Sequence, residues 1–281
     1  MNDKPFADDK PFADGHLFGS TEHADSAGQS WAGRSFEPNA NAGDDGSAPP
    51  ELIAALESFR HTSPKTPERT LAHIAVIDVI RTSRFLIPLV AEAGDVGVNA
   101  QGLTVDKTQE LGIVTVAGPG ERKVLPVFTS VAAMSLWRAD ARPVPAEGTR
   151  VALAAAGDGA QWVVIDPGSV TEFVIRRPTV DAIAQSLSWV PCQEDPLVID
   201  AFELSVTDQA DIRSIRLSGG DLDARGNGDE LVVELVLTPH LEQDDLLVIV
   251  NALADRWATE TVISQRVDSL RVQLIPDADA S

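Results

Sequence analysis

The chain has 281 residues, of which 43% are hydrophobic, and its formal net charge is −21 at pH 7. This length and apolar content suffice for two modest domains with buried cores, which excludes a wholly disordered protein. The acidity argues against nucleic acid or anionic membrane as a partner, because phosphates would repel the chain. It favours solubility and binding to a basic protein partner.

The acidic residues are concentrated at the two ends of the chain. The net charge is −6 over residues 1–48, −3 over 49–194 and −12 over 195–281. Residues 3–14 repeat the hexapeptide DKPFAD, and the surrounding sequence is rich in small and polar residues without a hydrophobic period. We therefore expect 1–48 to be a disordered acidic tail. Its repeated phenylalanines are either anchors of a short linear motif or incidental parts of a solvated segment.

Three features bear on the cellular compartment. The only cysteine, Cys192, excludes a disulfide within the chain, which fits a reducing environment. The first residues lack the apolar segment of a secretory signal. The longest apolar stretch is interrupted by Asp78 and Arg81, so it falls short of a membrane-spanning helix. These features predict a cytoplasmic protein.

Two helices and a strand are predicted after the tail. Pro50 suits a first helical turn. Apolar residues then recur at helical spacing, at Leu52, Ile53, Leu56 and Phe59. A polar break with two prolines separates this helix from a second one over 68–83. The run RFLIPLVAE that follows is strand-like, and Pro88 within it predicts an edge strand or a bulge.

A hairpin leads into the most conspicuous motif of the sequence, FTS. LGIVTVAGPGERKVLPVF predicts two strands joined by a Gly-Pro-Gly turn. Thr129 or Ser130 then stands where the N-cap of a helix over VAAMSLWR belongs. A nucleophilic hydroxyl needs a base, and none of the five histidines lies in a recognisable catalytic motif. We therefore favour a helix cap over a reactive Thr-Ser pair.

A linker, a helix, two strands and a further helix are predicted next. The segment ADARPVP predicts the linker, and AEGTRVALAAAG predicts the helix. QWVVIDP and EFVIRR predict two strands on either side of a turn at Pro167-Gly168. Pro178 starts a further helix. The segment 188–198 has prolines and no clear period, which indicates a domain boundary. Beyond it, strand, strand, amphipathic helix and strand alternate, which predicts a helix packed on an antiparallel sheet.

The predicted fold class is α+β, with two small domains of mixed α and β structure. Each domain is expected to contain a mostly antiparallel or mixed sheet packed with helices. We place the disordered tail at 1–48, the first domain at 49–190 and an acidic β-β-α-β domain at 198–276.

The sequence offers no catalytic residue, cofactor or metal site. GGDLDARGNGDE resembles a calcium loop, but its fifth and twelfth positions are Arg225 and Val232, which supply no side-chain oxygen, so a hairpin loop is favoured. No phosphate-binding glycine motif and no zinc-ligand spacing occurs. We interpret His73 as a helix residue rather than a base, and Cys192 as an inert thiol because no basic residue lies nearby in sequence.

Basic residues gather only in the middle of the chain. If they share a face, Arg122, Lys123, Arg176 and Arg177 form an interaction surface for an acidic partner or for the acidic C-terminal part of the same chain. The alternative is ordinary solvated charge.

The chain resembles the SseB N-terminal domain family in its actinobacterial form over about residues 50–190, and the motif positions that show this begin at Asp106. The positions that carry the resemblance are Asp106, Lys107, Leu125, Pro126, Val127, Phe128, Thr129, Ser130, Trp137, Asp166 with the turn after it, and Arg176-Arg177-Pro178. The resemblance implies that the C-terminal part is the second domain that some members carry. No catalytic residue comes with the family, whose name refers to a serine-sensitivity phenotype. The acidic repeat-bearing tail and the absence of tyrosine are departures from it.

Two functions remain open at this point. The first is a non-enzymatic cytoplasmic interaction or regulatory module with a protein partner. The second, suggested by the family name alone, is an enzyme or small-molecule sensor linked to serine or sulfur metabolism. It predicts a pocket between the domains, with Asp106, Lys107, Thr129 and Asp166 as candidate polar groups. Contact with basic ribosomal proteins is a third interpretation.

Overall fold

The structure is a computed structural model that describes residues 43–91, 96–98, 104–106 and 111–276, and it is an α+β protein. The helices are α1 (Pro50–His61), α2 (Pro67–Thr82), α3 (Val131–Trp137), α4 (Gly148–Gly157), α5 (Arg177–Ala184), α6 (Pro196–Ser205), α7 (Gln243–Thr259) and α8 (Thr261–Arg266). The strands are β1 (Arg84–Ala91), β2 (Val96–Val98), β3 (Thr104–Asp106), β4 (Leu111–Ile113), β5 (Val116–Ala117), β6 (Lys123–Val127), β7 (Arg142–Glu147), β8 (Trp162–Ile165), β9 (Phe173–Arg176), β10 (Ile212–Gly219), β11 (Leu231–Leu237) and β12 (Leu270–Pro276).

Two linked sheets form the N-terminal part of the chain. One has the strand order β5-β6-β8-β9 and the other β4-β1-β7, while β2 and β3 pair only with each other. β6 and β8 are parallel, and the other neighbours in these sheets are antiparallel. Backbone hydrogen bonds between Leu86 and Phe128 join β1 to the end of β6. The FTS motif therefore begins where the two sheets meet.

The first core lies between these sheets and helices α1, α2, α4 and α5. The helical spacing predicted for α1 is confirmed, because Leu52, Leu56 and Phe59 are buried in this core. The start of α4 packs closely on the end of α2. A Cβ on Gly148 would lie 1.8 Å from the Ile80 carbonyl oxygen, so only glycine fits there.

The C-terminal part builds a second core around the sheet β10-β11-β12. Alternate residues of β11, from Leu231 to Leu237, face helices α6, α7 and α8. The prediction of a purely antiparallel sheet is wrong here, because β11 and β12 are parallel. Helices α7 and α8 carry the chain back to the end at which β11 began, as a parallel connection requires. The mixed sheet of the predicted fold class is confirmed.

Two local predictions are wrong, and a proline is involved in each. Pro88 lies in β1, which is a central strand without a bulge. Its carbonyl accepts from the Val114 N–H where the β1–β4 ladder ends, so its missing N–H interrupts no pair of that ladder. The predicted linker ADARPVP contains the start of β7, an edge strand that tolerates proline. The segment predicted as a domain boundary includes the start of α6, where Asp195 caps the helix and Pro196 begins it.

Asp44–Ser281 forms one compact unit, and the division into domains at 190–198 stays a prediction. Residues 1–42 of the predicted tail lie outside the described residues. The end of that tail, however, is held in place. Arg84 forms an ion pair with Asp44 at 2.8 Å and donates to the carbonyl of Ser47. No helix within the described ranges has the length and apolarity that crossing a membrane would need.

Candidate functional site

The FTS motif is tied to Asp166, which follows β8. The Thr129 backbone N–H donates to Asp166 Oδ1 at 2.8 Å, and the Thr129 hydroxyl donates to Oδ2 at 2.7 Å. The Thr171 hydroxyl donates to the same Oδ2 at 2.8 Å. Asp166 is 1% exposed and has a positive φ of 45°, which is uncommon outside glycine. The carboxylate is therefore enclosed and fully bonded, and it fastens the end of β6 to the turn after β8.

Ser130 is the N-cap of α3. Its side-chain oxygen accepts a hydrogen bond from the Ala133 N–H at 3.1 Å. The carbonyl of Thr129 accepts from Arg84 at 2.7 Å, and the N–H of Val131 donates to the carbonyl of Gly46 at 2.9 Å. Thr129 thus has a structural partner for its N–H, its carbonyl and its hydroxyl, and the predicted cap is present at Ser130.

The remaining family positions are structural where they are described. Leu125 belongs to the first core, and Phe128 is buried against Trp137 with ring centroids 5.3 Å apart. Pro126 lies in β6 opposite Val164 of β8. Asp106 ends β3, but its side chain lies outside the described residues, as does all of Lys107. Of the four polar groups proposed for a pocket, the structure brings together Thr129 and Asp166, in a sealed contact.

A cavity of about 630 Å³ lies elsewhere, where the two cores meet. We call it the junction cavity. The N-terminal part contributes Phe59, Thr70, His73, Thr179 and Trp189 to its lining, and the C-terminal part contributes Cys192, Gln193, Gly219, Leu222 and Glu230. A ligand in the junction cavity would therefore touch both parts of the chain.

One wall of the junction cavity is aromatic. The His73 ring packs at 4.9 Å from Phe59 and at 4.8 Å from Trp189, and Phe173 closes the cluster at 5.6 Å. Burial among these rings, helped by the charge of Arg69, lowers the pKa of His73 from 6.5 to about 4. His73 is therefore neutral at physiological pH, and its packing agrees with the interpretation of a helix residue.

The C-terminal part of the lining includes Glu230 and Cys192. The Asp268 N–H donates to Glu230 Oε2 at 2.6 Å, but Oε1 makes no hydrogen bond or ion pair with any residue that the structure describes. Burial raises the pKa of the Glu230 carboxyl from 4.5 to about 7. Burial also raises the pKa of the Cys192 thiol well above its ordinary value, which agrees with an inert thiol.

Arg176 joins the two parts of the chain beside the junction cavity. It is 6% exposed, and its two terminal nitrogens form ion pairs with Asp221 at 2.8 Å and with Asp268 at 3.0 Å. Its neighbour Arg177 donates to the carbonyl of Ser264 at 2.8 Å. Two of the four residues of the predicted basic surface thus contact the acidic C-terminal part.

The other two residues of that predicted surface lie further along the same sheet. Arg122 packs over the Trp162 ring at 4.8 Å, while Lys123 pairs with Asp158 at 2.9 Å on the surface. Arg176 approaches the same ring at 5.0 Å, so Trp162 lies near both arginines. Binding of an external acidic partner by these residues stays a prediction.

The loop that resembles a calcium site docks onto the N-terminal part. Its first acid, Asp221, accepts from the N–H of Gly226 at 2.7 Å as well as from Arg176. Arg69 contacts the Leu222 carbonyl at 2.6 Å, and the Ala224 carbonyl extends the edge of β9 by accepting from Val174 at 2.7 Å. No cluster of three or more metal-ligating side chains occurs within residues 43–91 and 111–276.

The sensor hypothesis predicts a pocket between the domains, but it names none of the residues that line the junction cavity, because these come from distant segments. The sequence gives His73 and Cys192 no common motif, and Trp189 lies in the segment predicted as a boundary. Glu230 is one of eighteen acids over residues 195–281 and has no local motif. The basic Arg176-Arg177 and the acidic C-terminal part together pointed to a contact between the two parts, but not to the residues that line the cavity.

Comparison with known proteins gives one match. Residues 52–196 match the family described as SseB protein N-terminal domain, which is more than half of the 281 residues. The matched segment includes the FTS motif, Asp166 and the N-terminal wall of the junction cavity. Neither the curated proteins nor the solved structures gave a match.

Proposed function

The chain belongs to the SseB family through its N-terminal domain, and we propose that it is a non-enzymatic regulatory module that binds a small molecule in the junction cavity. The observation that carries this proposal is the cavity itself. Its volume of about 630 Å³ lies within the range of small-molecule sites, which is roughly 300–1,000 Å³. Its lining combines aromatic and aliphatic side chains with polar and charged ones that can orient a ligand.

The ionisable groups of the lining support binding there. Two of them, His73 and Glu230, have pKa values displaced in opposite directions by burial. Groups of this kind collect at functional sites, because a site that holds a ligand away from water also removes water from its own side chains. The sealed Thr129–Asp166 contact has no such opening.

The position of the junction cavity supports regulation rather than storage alone. The lining comes from the parts of the chain that contain the two different cores. A ligand that touches His73 of one part and Gln193 of the other therefore favours the arrangement in which the two cores are in contact. Arg176 and its two carboxylates hold the same arrangement without a ligand. Ligand binding would thus change how firmly the acidic part is held, and a partner protein could read that change.

The test is to identify small molecules that the full chain retains after native purification from its own host. Thr70→Trp places a large side chain in the cavity lining, and Thr82→Trp places the same residue at the exposed end of the same helix. Mass spectrometry of the denatured samples should show a compound with the wild type and Thr82→Trp that falls roughly tenfold or more in Thr70→Trp. Equal amounts of every compound in Thr70→Trp and the wild type would overturn the proposal.

A second candidate function is binding to a basic protein partner through α7. Leu247 and Val248 on its outer side are 53% and 68% exposed, and Asp244 and Asp255 lie on the same side. An apolar pair bordered by acids suits a partner with basic and apolar side chains. We also place the protein in the cytoplasm, because its one cysteine is buried and unpaired.

Capture of partners from the host at low salt tests this second candidate. Leu247→Ser with Val248→Ser should lose a partner that the wild type retains. Val170→Ser, which alters another exposed apolar residue, should keep it. Retention of the same partners by the double variant would contradict binding at α7.

A further inference from the structure

We propose that the junction cavity selects a small molecule with a protonated amine next to a flat apolar group, with the Glu230 carboxylate receiving the amine. This inference rests on the proposed function and specifies the chemistry of its ligand.

Glu230 offers an acceptor that the chain itself does not use. One carboxylate oxygen is fixed by the Asp268 N–H at 2.6 Å, which orients the group. The other oxygen has no donor among the described residues, and Glu230 lines the cavity. A carboxylate held in this way receives N–H donors strongly, and a charged donor most strongly.

Among the described residues, three cations line the cavity, Lys65, Arg69 and Arg176, and the two arginines are already engaged, so these arginines do not favour an anionic ligand. Arg176 is paired with Asp221 and Asp268. Arg69 donates to the carbonyls of Phe59, Thr62 and Leu222, and its unpartnered Nε is shielded from the cavity surface. An incoming anion would meet these neutralised arginines and the carboxylate of Glu230, which repels it.

The aromatic wall suits the rest of the ligand. Trp189 presents apolar ring surface to the cavity, and such a ring also attracts cations through its face, whereas the Phe59 ring behind His73 is covered by the Arg69 guanidinium at 3.6 Å. His73 lies between the two rings and is uncharged at neutral pH, so it does not repel an ammonium group. A flat apolar group can therefore pack on this wall while its amine reaches Glu230.

The titration of Glu230 is consistent with this arrangement. Burial raises its pKa to about 7, and the charge of Asp268 adds to that, while the Asp268 N–H and the charges of Arg176 and Arg177 partly offset it. A bound ammonium would stabilise the ionised carboxylate and lower this pKa again. Amine binding should consequently release a proton near pH 7 and strengthen as the pH rises from 6 to 8.

Three probes of matched shape test the inference on the full chain: benzylamine, benzyl alcohol and benzoate. Dissociation constants from NMR titration at pH 8 should favour benzylamine over benzyl alcohol by roughly tenfold or more, with benzoate the weakest. Glu230→Gln keeps an oxygen for the Asp268 N–H and should abolish the preference. Glu194→Gln, at an exposed acid of the same lining, should preserve it.

The outcomes separate this inference from the proposed function. Equal binding of benzylamine and benzyl alcohol, or a preference that survives in Glu230→Gln, overturns the role of Glu230. Absence of benzylamine binding to the wild type overturns it as well. If a retained compound is nevertheless lost in Thr70→Trp, the cavity remains the binding site and only the amine selectivity fails.

Discussion

The FTS motif and the junction cavity contrast in how their polar groups are used. At the motif, both oxygens of Asp166, both side-chain hydroxyl oxygens of the Thr-Ser pair and the Thr129 N–H are bonded inside the fold. At the cavity, Glu230 keeps one oxygen free of partners among the described residues. The comparison teaches that a conspicuous motif can be architectural, while the surface available for a ligand is assembled from residues that no motif marks.

Removal of Arg176 should have the largest effect on stability. Arg176→Met leaves Asp221 and Asp268 as buried carboxylates without their cation, which typically costs about 3–5 kcal/mol. Arg177→Met, which removes only a contact to the Ser264 carbonyl, should cost less than about 1 kcal/mol. Urea unfolding of both variants measures this difference. Similar losses for the two arginines would show that Arg176 does not join the two parts as described.

Substitution of Asp166 should have the next largest effect on stability. Asp166→Ala removes the acceptor for Thr129 and for Thr171 and leaves buried donors unpaired, so we expect a loss of about 3 kcal/mol in unfolding free energy. Thr171→Val deletes one of these bonds and should cost about 1 kcal/mol. A ligand carried by the folded protein should be retained in both variants. Loss of the ligand from folded Asp166→Ala would show that the FTS motif takes part in binding.

Two ionisable residues of the cavity lining, Glu230 and His73, should change stability with pH in opposite directions. Glu230 has a raised pKa, so the folded state loses stability as the pH rises from about 4.5 to 7, and Glu230→Gln removes that loss. His73 has a lowered pKa, so stability is gained as the pH rises from about 4 to 6.5, and His73→Phe removes that gain. Each change should be on the order of 1–3 kcal/mol.

Denaturant unfolding at several pH values between 4 and 8 measures these slopes against the wild type. The difference in stability between Glu230→Gln and the wild type should grow up to pH 7 and then level off. A difference that stays constant across this range would mean that Glu230 titrates normally and is not buried at the cavity.

Removal of the N-cap of α3 should have the smallest effect on stability. Ser130→Ala removes the hydrogen bond to the Ala133 N–H and should cost about 1 kcal/mol. Ser130→Asp keeps a capping oxygen and should restore most of this loss, which thermal unfolding would detect. A loss of retained ligand in Ser130→Ala, with the fold intact, would contradict a purely structural role.

Much of the fold follows from local sequence patterns. The period of α1, the Gly-Pro-Gly turn and the Ser130 cap each depend on residues close together in the chain, and all three are observed. The errors involve prolines at Pro88 and Pro143, whose effect depends on what the neighbouring strand provides. Local patterns cannot supply that information.

The candidate site was much less predictable. The contact of Arg176 with Asp221 and Asp268 joins residues 45 and 92 positions apart, and no local period records such a pairing. The perturbed pKa of Glu230 arises from burial beneath both parts of the chain rather than from its sequence neighbours. Physical reasoning from the sequence could suggest an acidic part meeting a basic one and a pocket between them, but not which residues line that pocket.

The most direct test of this account is NMR mapping of the full chain with a low-molecular-weight extract of its host. Amide shifts should change at cavity residues such as Thr70, Gln193 and Gly219, and should remain unchanged at Thr129 and Ser130. Changes centred on Thr129 and Ser130, or an extract without effect on the cavity residues, would contradict the claim that the junction cavity is the binding site.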